Sequence, residues 1–218
     1  MGVTKYKYNE DFLNNKNENY WYIAGLLASD GYISNEYIEI ALNKKDFDII
    51  HKIKNIMCPN KPIYYKETNN AYILKLNKKE WSQHYKELFS METNNKHKEL
   101  LFPTIPNKYL KDFIRGYIDG DGCIDKAKGK QKINDKFRYY YGVRLRILGN
   151  YNFLKELNLQ TKKFINHKTN AISKKGKENV YVVTYNFSTA KNILNWIYQD
   201  NPELYLERKY TKFLELLT

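Results

Sequence analysis

Two aspartates in closely similar surroundings carry the strongest chemical signal in this 218-residue sequence. Asp30 and Asp121 each precede a glycine, and the stretches that lead to them match again at Gly25 and Gly116. The match indicates an internal duplication. Two carboxylates brought together by such a duplication would offer hard oxygen ligands to Mg²⁺, which usually takes one or two carboxylates together with water and phosphate oxygens.

The stretch before each aspartate has the pattern of a closely packed helix. Small residues lie one turn apart, Gly25 with Ser29 and Gly116 with Gly120, and would give each helix a flat face. Two flat faces let helix backbones approach closely. A mid-helix glycine costs roughly 0.5–1 kcal/mol relative to alanine, so its repetition indicates a packing requirement. We expect the two helices to pack side by side and parallel.

Each of these helices is predicted to end at its Asp-Gly pair. We place the first over about residues 20–30 and the second over about residues 107–121. Gly31 and Gly122 then follow the last turn, where a glycine in the left-handed conformation commonly forms the C-cap.

An aspartate at a helix C-terminus is unfavourable unless something offsets its charge. The macrodipole is negative there, and the last carbonyl groups have no intrahelical partner. A cation bound by Asp30, Asp121 and the carbonyl oxygens of Ser29 and Gly120 would remove the conflict. We therefore predict the two aspartates as metal ligands with a catalytic role; a purely capping or structural role is the alternative.

The two stretches, 22–34 and 113–125, resemble the LAGLIDADG motif of homing endonucleases, in the single-chain form with two motif copies. The resemblance extends over nearly the whole chain and is strong where that family is strictest, at the glycine, the acid and the following glycine. The chain departs from the motif at Ala28, Arg115 and Tyr117. None of these departures affects the acid that the family uses for metal.

The resemblance implies a fold and an activity. The fold would be α+β, with two pseudo-symmetric αββαββα halves, each with a curved antiparallel sheet, forming a DNA-binding saddle and joined through the two packed motif helices. The activity would be Mg²⁺-dependent, site-specific hydrolysis of phosphodiesters in both strands of a long, non-palindromic DNA duplex, leaving short 3′ overhangs. We expect Mn²⁺ or Ca²⁺ to occupy the same site.

The resemblance also implies a basic residue beside each metal, contributed by the segment after the third helix of each half. Chain order makes Lys96 or Lys98 the candidate in the first half and Lys209 the candidate in the second. A solvated surface lysine is the alternative in each case. Asn43 occupies the place of a polar, water-ordering residue.

Two further acids lie close to the second motif in the sequence. We interpret Asp119 as a helix-surface acid and Asp125 as a strand-end residue.

Composition points to a polyanion as partner. Lys and Arg number 37 against 24 Asp and Glu, which gives a net charge of +13 and a pI near 9.4. An AT-rich coding genome, which favours Lys, Asn, Tyr and Ile codons, is an equally good explanation of the composition alone. Cys58 and Cys123 form no C-x-x-C spacing, and no apolar run is long enough for a membrane span or signal peptide. We expect an intracellular, reducing compartment and no membrane partner.

The element pattern is helix, two strands, helix, two strands, helix, repeated once. We divide the chain into a first repeat with its lead-in (1–95), a linker (96–106) and a second repeat (107–218). Asp46 and Asn150 are predicted helix N-caps at equivalent places. The second repeat carries a basic insertion, predicted as a hairpin tip at 126–136, and strands at 164–169 and 180–187.

One face of each sheet is predicted to contact DNA. On the strand 137–148, basic and aromatic residues of one parity alternate with apolar residues of the other, and a β-ribbon fits the major groove. The predicted contacts are Tyr37, Arg138, Tyr140, Arg144, Arg146 and the basic tip Lys174, Lys175 and Lys177.

The sequence therefore predicts a monomeric DNA endonuclease, encoded within a mobile intron or as a free-standing gene, with no obligatory protein partner. Two other classes stay open. One is an RNA maturase or non-cleaving DNA-binding protein on the same fold, and the other is a nucleic-acid-binding structural protein whose aspartates only cap helices.

Overall fold

A computed structural model describes residues 6–92, 99–167, 170–176 and 178–217. Its first half contains α1 (Glu18–Ser29), β1 (Gly31–Ile33), β2 (Ile38–Asn43), α2 (Phe47–Met57), β3 (Tyr64–Lys66), β4 (Ala71–Leu76) and α3 (Lys79–Leu88). Its second half contains α4 (Leu110–Asp121), β5 (Gly122–Ile133), β6 (Lys136–Gly149), α5 (Tyr151–Phe164), β7 (Ile172–Lys174), β8 (Tyr181–Asn186), α6 (Phe187–Tyr198) and α7 (Glu207–Glu215). The predicted α+β fold of two αββαββα halves is confirmed, with α7 added at the end.

The two sheets have the same topology. Both are four-stranded and antiparallel, in the orders β1-β2-β4-β3 and β5-β6-β8-β7. The first residue of the strand after each motif helix has an equivalent partner, Gly31 opposite Ile40 and Gly122 opposite Ile147. The duplication seen in the sequence is therefore a duplication of strand pairing.

Alternation along the strands leaves one face of each sheet uncovered. In β6, Val143, Leu145 and Ile147 are buried against the helices, whereas Arg144 and Arg146 remain partly exposed. Strand β2 has the same burial pattern. One face thus belongs to the hydrophobic core and the other is free for a partner. We call this free face the groove face.

Helices α1 and α4 lie at the centre of the molecule. Residues Tyr20 to Ala28 of α1 are all buried, and α4 is buried from Asp112 to Asp119. A helix buried on every side belongs to the interior of a fold. Asn17 begins α1 by accepting a hydrogen bond from the backbone N–H of Tyr20 at 3.0 Å. No helix among the described residues is long and apolar enough to cross a membrane.

The basic insertion is a regular ribbon and not a loop-like tip. The β5–β6 ladder continues without interruption from Gly122 opposite Ile147 to Ile133 opposite Lys136. Asn134 and Asp135 close it, both with positive φ (48° and 59°), which matches the twist of a two-residue hairpin turn. Residues 126–132 of β5 are mostly polar and show no apolar alternation, so the strand signal was lost there although the pairing persists.

Two other predictions about local structure were wrong. Helix α5 continues to Phe164, and the edge strand is β7, so no strand covers 164–167. Asp46 does not cap α2, since its buried carboxylate accepts from Nε of Arg208 at 2.8 Å instead. Asn150 is confirmed as a cap, because its side chain accepts from the Phe153 N–H at 2.9 Å.

Candidate functional site

Glycines hold the two central helices in backbone contact. A Cβ on Gly25 would overlap the carbonyl oxygen of Phe113 and lie 2.8 Å from the Tyr117 nitrogen. A Cβ on Gly116 would overlap the carbonyl oxygen of Tyr22 in the same way. The contacts are reciprocal, as a pseudo-two-fold axis between the halves requires. The predicted small-residue faces are therefore the helix interface.

The helices are parallel, and their C-termini lie side by side. One turn beyond the Gly25 and Gly116 contacts, a Cβ on Gly120 would lie 2.5 Å from Cβ of Ser29 and 3.2 Å from Cγ of Asp30. The contacts therefore advance in the same direction along both helices. Asp30 is exposed and packs beside Gly120, the residue that immediately precedes the half-buried Asp121.

The buried phenol of Tyr117 is influenced by both motif aspartates. Burial raises the pKa of the Tyr117 phenol well above its usual value, and the carboxylates of Asp121 and Asp30 raise it further. Both carboxylates thus act on one phenolic group. The Tyr117 hydroxyl donates to the carbonyl oxygen of Leu148 at 2.9 Å, which ties α4 to the end of β6.

Gly31 and Gly122, which follow the aspartates, are not the left-handed helix caps that the sequence predicted. Neither Gly31 nor Gly122 has a positive φ, and Gly122 is extended at φ −88° and ψ 145°. A Cβ on Gly31 would lie 2.6 Å from Cα of Leu27, and one on Gly122 would lie 2.7 Å from Cγ2 of Ile118. The chain passes back so closely over the last helical turn that a side chain has no room.

Lys209 caps the C-terminus of α4. Its buried ammonium group donates to the carbonyl oxygens of Ile118 (2.7 Å), Asp119 (2.6 Å), Gly120 (3.2 Å) and Gly122 (2.7 Å). The carbonyls of Asp119 and Gly120 belong to the last turn, which a helix end leaves without intrahelical partners. Ile118 also accepts from the Gly122 N–H, and Gly122 is the first residue of β5. The sequence placed Lys209 beside the site, and the structure does so too, but as a cap that also binds the Gly120 carbonyl predicted as a metal ligand.

The Lys209 ammonium group interacts electrostatically with three nearby carboxylates. Burial lowers the pKa of Lys209, while the carboxylates of Asp119, Asp30 and Asp121 act in the opposite direction. Lys209 thus supplies positive charge to the place where the sequence predicts two metal-binding acids.

Asp119 is a buried network residue and not the surface acid that the sequence indicated. Its carboxylate accepts from the Tyr22 hydroxyl at 2.9 Å, the Leu206 N–H at 2.8 Å and the Tyr198 hydroxyl at 3.4 Å. Burial raises the pKa of Asp119. Asp119 therefore connects α4 to α1, α6 and the segment before α7. Its position two residues before Asp121 puts it on the opposite side of the helix, a signal that the sequence did contain.

Arg115 has a related role that the sequence analysis missed. It is buried and donates to the carboxylate of Asp112 and to the carbonyl oxygens of Ile197 and Leu204, each at 2.8 Å. These bonds hold the segment that leads into α7 against α4. The i,i+3 spacing of the oppositely charged Asp112 and Arg115 was the available signal.

The available donors fit a cation that prefers oxygen. Among the described residues no three His, Cys, Asp or Glu side chains cluster as a metal site, so the pair Asp30 and Asp121 would be completed by backbone oxygens, water and substrate. Such an oxygen-only set suits Mg²⁺ or Ca²⁺ better than zinc, whose protein sites are built mainly from Cys and His.

Residues 108–198 match the family model of the LAGLIDADG-like domain. The chain has the fold of single-chain LAGLIDADG homing endonucleases. The solved structure of I-LtrWI, a LAGLIDADG homing endonuclease bound to target DNA, is 14% identical with a TM-score of 0.61, covering 92% of this chain and 88% of that one. I-SmaMI bound to uncleaved DNA target in the presence of calcium ions is 12% identical with a TM-score of 0.63, covering 92% and 89%. No curated protein matches the sequence at a significant level.

The groove face of the second half holds four of the eight predicted DNA contacts. Arg138 and Tyr140 lie exposed on the ribbon. Arg144 and Arg146 are also on this face, but both pair with Asp125, at 2.6 Å and 2.5 Å. Asp125 lies inside β5 and not at a strand end, and the Arg144 hydrogen bonds hold the pKa of its carboxyl below the usual range.

The other residues predicted for the site lie in several different places. Tyr37 lies beside the groove face with the Lys75 ammonium 3.5 Å from its ring centre. Lys174 is opposite Tyr181, which lies on the same face of β8 as the buried Val183. Lys174 is therefore on the helix side of the sheet. Lys175 follows it in an exposed turn. Lys96, Lys98 and Lys177 lie outside the described residues. Asn43 accepts from the Lys45 N–H at 3.1 Å and begins a short helical turn.

Replacing Lys209 by methionine is expected to lower the free energy of unfolding by about 3–5 kcal/mol, the range for removing one partner of a buried charge. Methionine keeps the length of the side chain but leaves Asp119 and the α4 carbonyl groups without their cation. Chemical denaturation would measure the loss. Lys212→Met, at an exposed position one turn further along α7, is the matched control and should change stability by less than about 1 kcal/mol. Equal effects of the two substitutions would contradict the capping role.

Proposed function

We propose that this protein is a divalent-metal-dependent endonuclease that cuts both strands of a specific DNA duplex. The observation that carries the proposal is the parallel packing of α1 and α4, in which Asp30 lies beside Gly120, the residue before Asp121. Each half also has a four-stranded sheet with a free face. The related fold of I-LtrWI, solved with its target DNA, supports this choice of substrate.

Asp30 and Asp121 would hold the metal, with carbonyl oxygens of the helix ends as further candidates. A bound Mg²⁺ would supply Lewis-acid stabilisation of charge on the phosphate and its leaving oxygen. The calcium ions named in the I-SmaMI structure support a site for a divalent cation on this fold. We propose Mg²⁺ as the cation that this protein uses.

The chain's own residues fix the position of the two acids. Lys209 and Asp119 tie the end of α4 to the C-terminal segment, and the glycine contacts fix its distance from α1. Since one acid comes from each half, each can serve one strand of a duplex that lies across the helix ends. Both acids come from one chain, which is why we propose a monomer.

The two halves would contact a long and asymmetric target. The ribbon of β5 and β6 makes the second groove face much longer than the first, so two identical half-sites are not expected. A pair of sheets of this kind would follow roughly two helical turns of duplex, at about 10 bp per turn for each half. The net charge of +13 would make affinity fall steeply with salt.

Replacing Asp125 by asparagine is expected to raise affinity for non-target duplex by about three- to tenfold at low salt, because Arg144 and Arg146 lose their ion-pair partner and become available to phosphates. The slope of log affinity against log salt should steepen by roughly one unit for each new phosphate contact. Fluorescence anisotropy over a salt series would measure both.

The control for Asp125→Asn is Asp48→Asn, which makes the same charge change at an exposed position on α2, away from the groove face. It should leave the salt slope unchanged. If Asp125→Asn also left the slope unchanged, the two arginines would not be part of the duplex contact surface.

The proposed function is tested by selecting cleaved molecules from a randomised duplex library in Mg²⁺, with EDTA as the reference. Enrichment of one long, non-palindromic sequence cut in both strands is the expected result. Sequence-specific binding without any cleavage in Mg²⁺ or Mn²⁺ would overturn the nuclease and identify a DNA-binding protein on the same fold.

A further inference from the structure

The β5–β6 ribbon has a second exposed face, opposite the groove face. Three lysines of β5 lie over three aromatic rings of β6 on this side. The Lys126, Lys128 and Lys130 ammonium groups are 4.4, 4.1 and 4.5 Å from the ring centres of Tyr141, Tyr139 and Phe137, respectively. We call these six residues the outer stripe.

Strand register places the outer stripe on the side away from the groove face. Lys128 is opposite Tyr141 and Lys130 is opposite Tyr139, so the lysines and rings share one face of the ladder. Further along the same face, Ile124 and Leu145 enter the hydrophobic core. Arg138 has the other parity and lies on the groove face. The outer stripe thus begins where the helices stop covering the core side of the sheet.

The rings of the outer stripe are unusually open to solvent for aromatic side chains. Tyr139, Tyr141 and Phe137 are 52%, 55% and 56% exposed. Adjacent aromatic groups left in water commonly mark a binding surface. The end of α7 covers only part of this surface, where Tyr141 and Lys126 line a pocket with Glu215, Leu216 and Leu217.

The charges of the outer stripe are available to a ligand. Among the ion pairs of the described residues, none involves Lys126, Lys128 or Lys130, whereas Arg144 and Arg146 on the groove face are both paired with Asp125. The outer stripe therefore combines unneutralised positive charge with exposed rings at a regular spacing of two residues, roughly 6.6 Å along a strand.

We propose that the outer stripe binds single-stranded nucleic acid, in addition to the duplex proposed for the groove face. Aromatic rings stack on bases of any sequence, and lysines follow the phosphates, which is how single strands are bound without sequence preference. A duplex would leave the rings without partners, since its bases are already stacked and paired. Because the two faces point in opposite directions, the protein binds a duplex and a single strand together.

The proposal is tested by fluorescence anisotropy with labelled single-stranded oligonucleotides, one poly-dT and one poly-U, in EDTA, where no cleavage occurs. The triple variant Phe137→Ser, Tyr139→Ser, Tyr141→Ser is expected to lose single-strand affinity by at least about tenfold, because stacking is removed at three positions. Its affinity for a duplex should stay within about twofold of wild type. The poly-dT and poly-U arms show whether DNA or RNA is preferred.

Two matched measurements make the result decisive. Arg138→Gln, on the groove face of the same ribbon, should leave single-strand affinity unchanged, and wild-type protein saturated with duplex should still bind the single strand. Circular dichroism of the triple variant would confirm that it is folded. Wild-type single-strand affinity in a folded triple variant, or competition between duplex and single strand, would overturn the proposal.

Discussion

Replacing Asp30 or Asp121 by asparagine is expected to lower the rate of duplex cleavage by about 10²–10³-fold or more, while duplex affinity stays within about threefold of wild type. Asparagine keeps the size and the carbonyl oxygen of the side chain but removes the charge that a divalent cation requires. The two carboxylates lie at adjoining helix ends, so the loss of either would leave one acid for the proposed metal site. Single-turnover cleavage of the selected target measures the rate.

The comparison of the two variants also tests the assignment of one acid to each strand. If each acid serves mainly one strand, slow nicking should be biased to opposite strands in Asp30→Asn and Asp121→Asn. Calorimetric titration with Mg²⁺ or Ca²⁺ provides a readout that does not depend on cleavage, and both variants should bind more weakly. Asp11→Asn changes an exposed acid in the lead-in and should cleave normally. Cleavage at the wild-type rate by both motif variants would exclude the aspartates from the reaction.

Replacing Gly25 or Gly116 by alanine is expected to lower the free energy of unfolding by about 3 kcal/mol, the upper part of the range for overpacking. Alanine is the better helix former by about 1 kcal/mol, so a substitution without conflict would stabilise each helix. Here the new Cβ would overlap a backbone carbonyl oxygen of the opposite helix, which cannot rotate away. The helices must separate, and the separation also moves Asp30 away from Asp121.

Thermal and chemical denaturation of these alanine variants would show the loss of stability. Gly142→Ala is the control, because the closest contact of its Cβ would be the Phe187 ring, at 2.8 Å, and a side chain can shift. We expect a change of about 1 kcal/mol or less in the free energy of unfolding. Moving Asp30 away from Asp121 should have a second effect. The cleavage rate should fall by more than the fraction of folded protein does. Alanine variants as stable as wild type would contradict the close helix contact.

Local patterns accounted for the repeated units of the fold. The small residues Gly25 and Gly116 indicated the helix interface, and alternation in β6 indicated the buried and free faces of its sheet. These signals are short-range, since helix and strand periodicity depend on neighbours within a few residues. The same reasoning failed in β5, where apolar alternation stops, so residues 126–133 were taken for part of a hairpin tip.

The sequence by itself determined the duplication, the two motif helices, the pair Asp30 and Asp121, and the positive charge that suits nucleic acid. Only the tertiary structure decided that Lys209 caps α4, that Asp119 is a buried hub and that Asp46 pairs with Arg208. Each of these contacts joins residues about 90 positions or more apart in the chain. A buried charge is stable only where another group compensates it, and here that group is distant in the sequence. Local periodicity therefore cannot predict the position of such a residue.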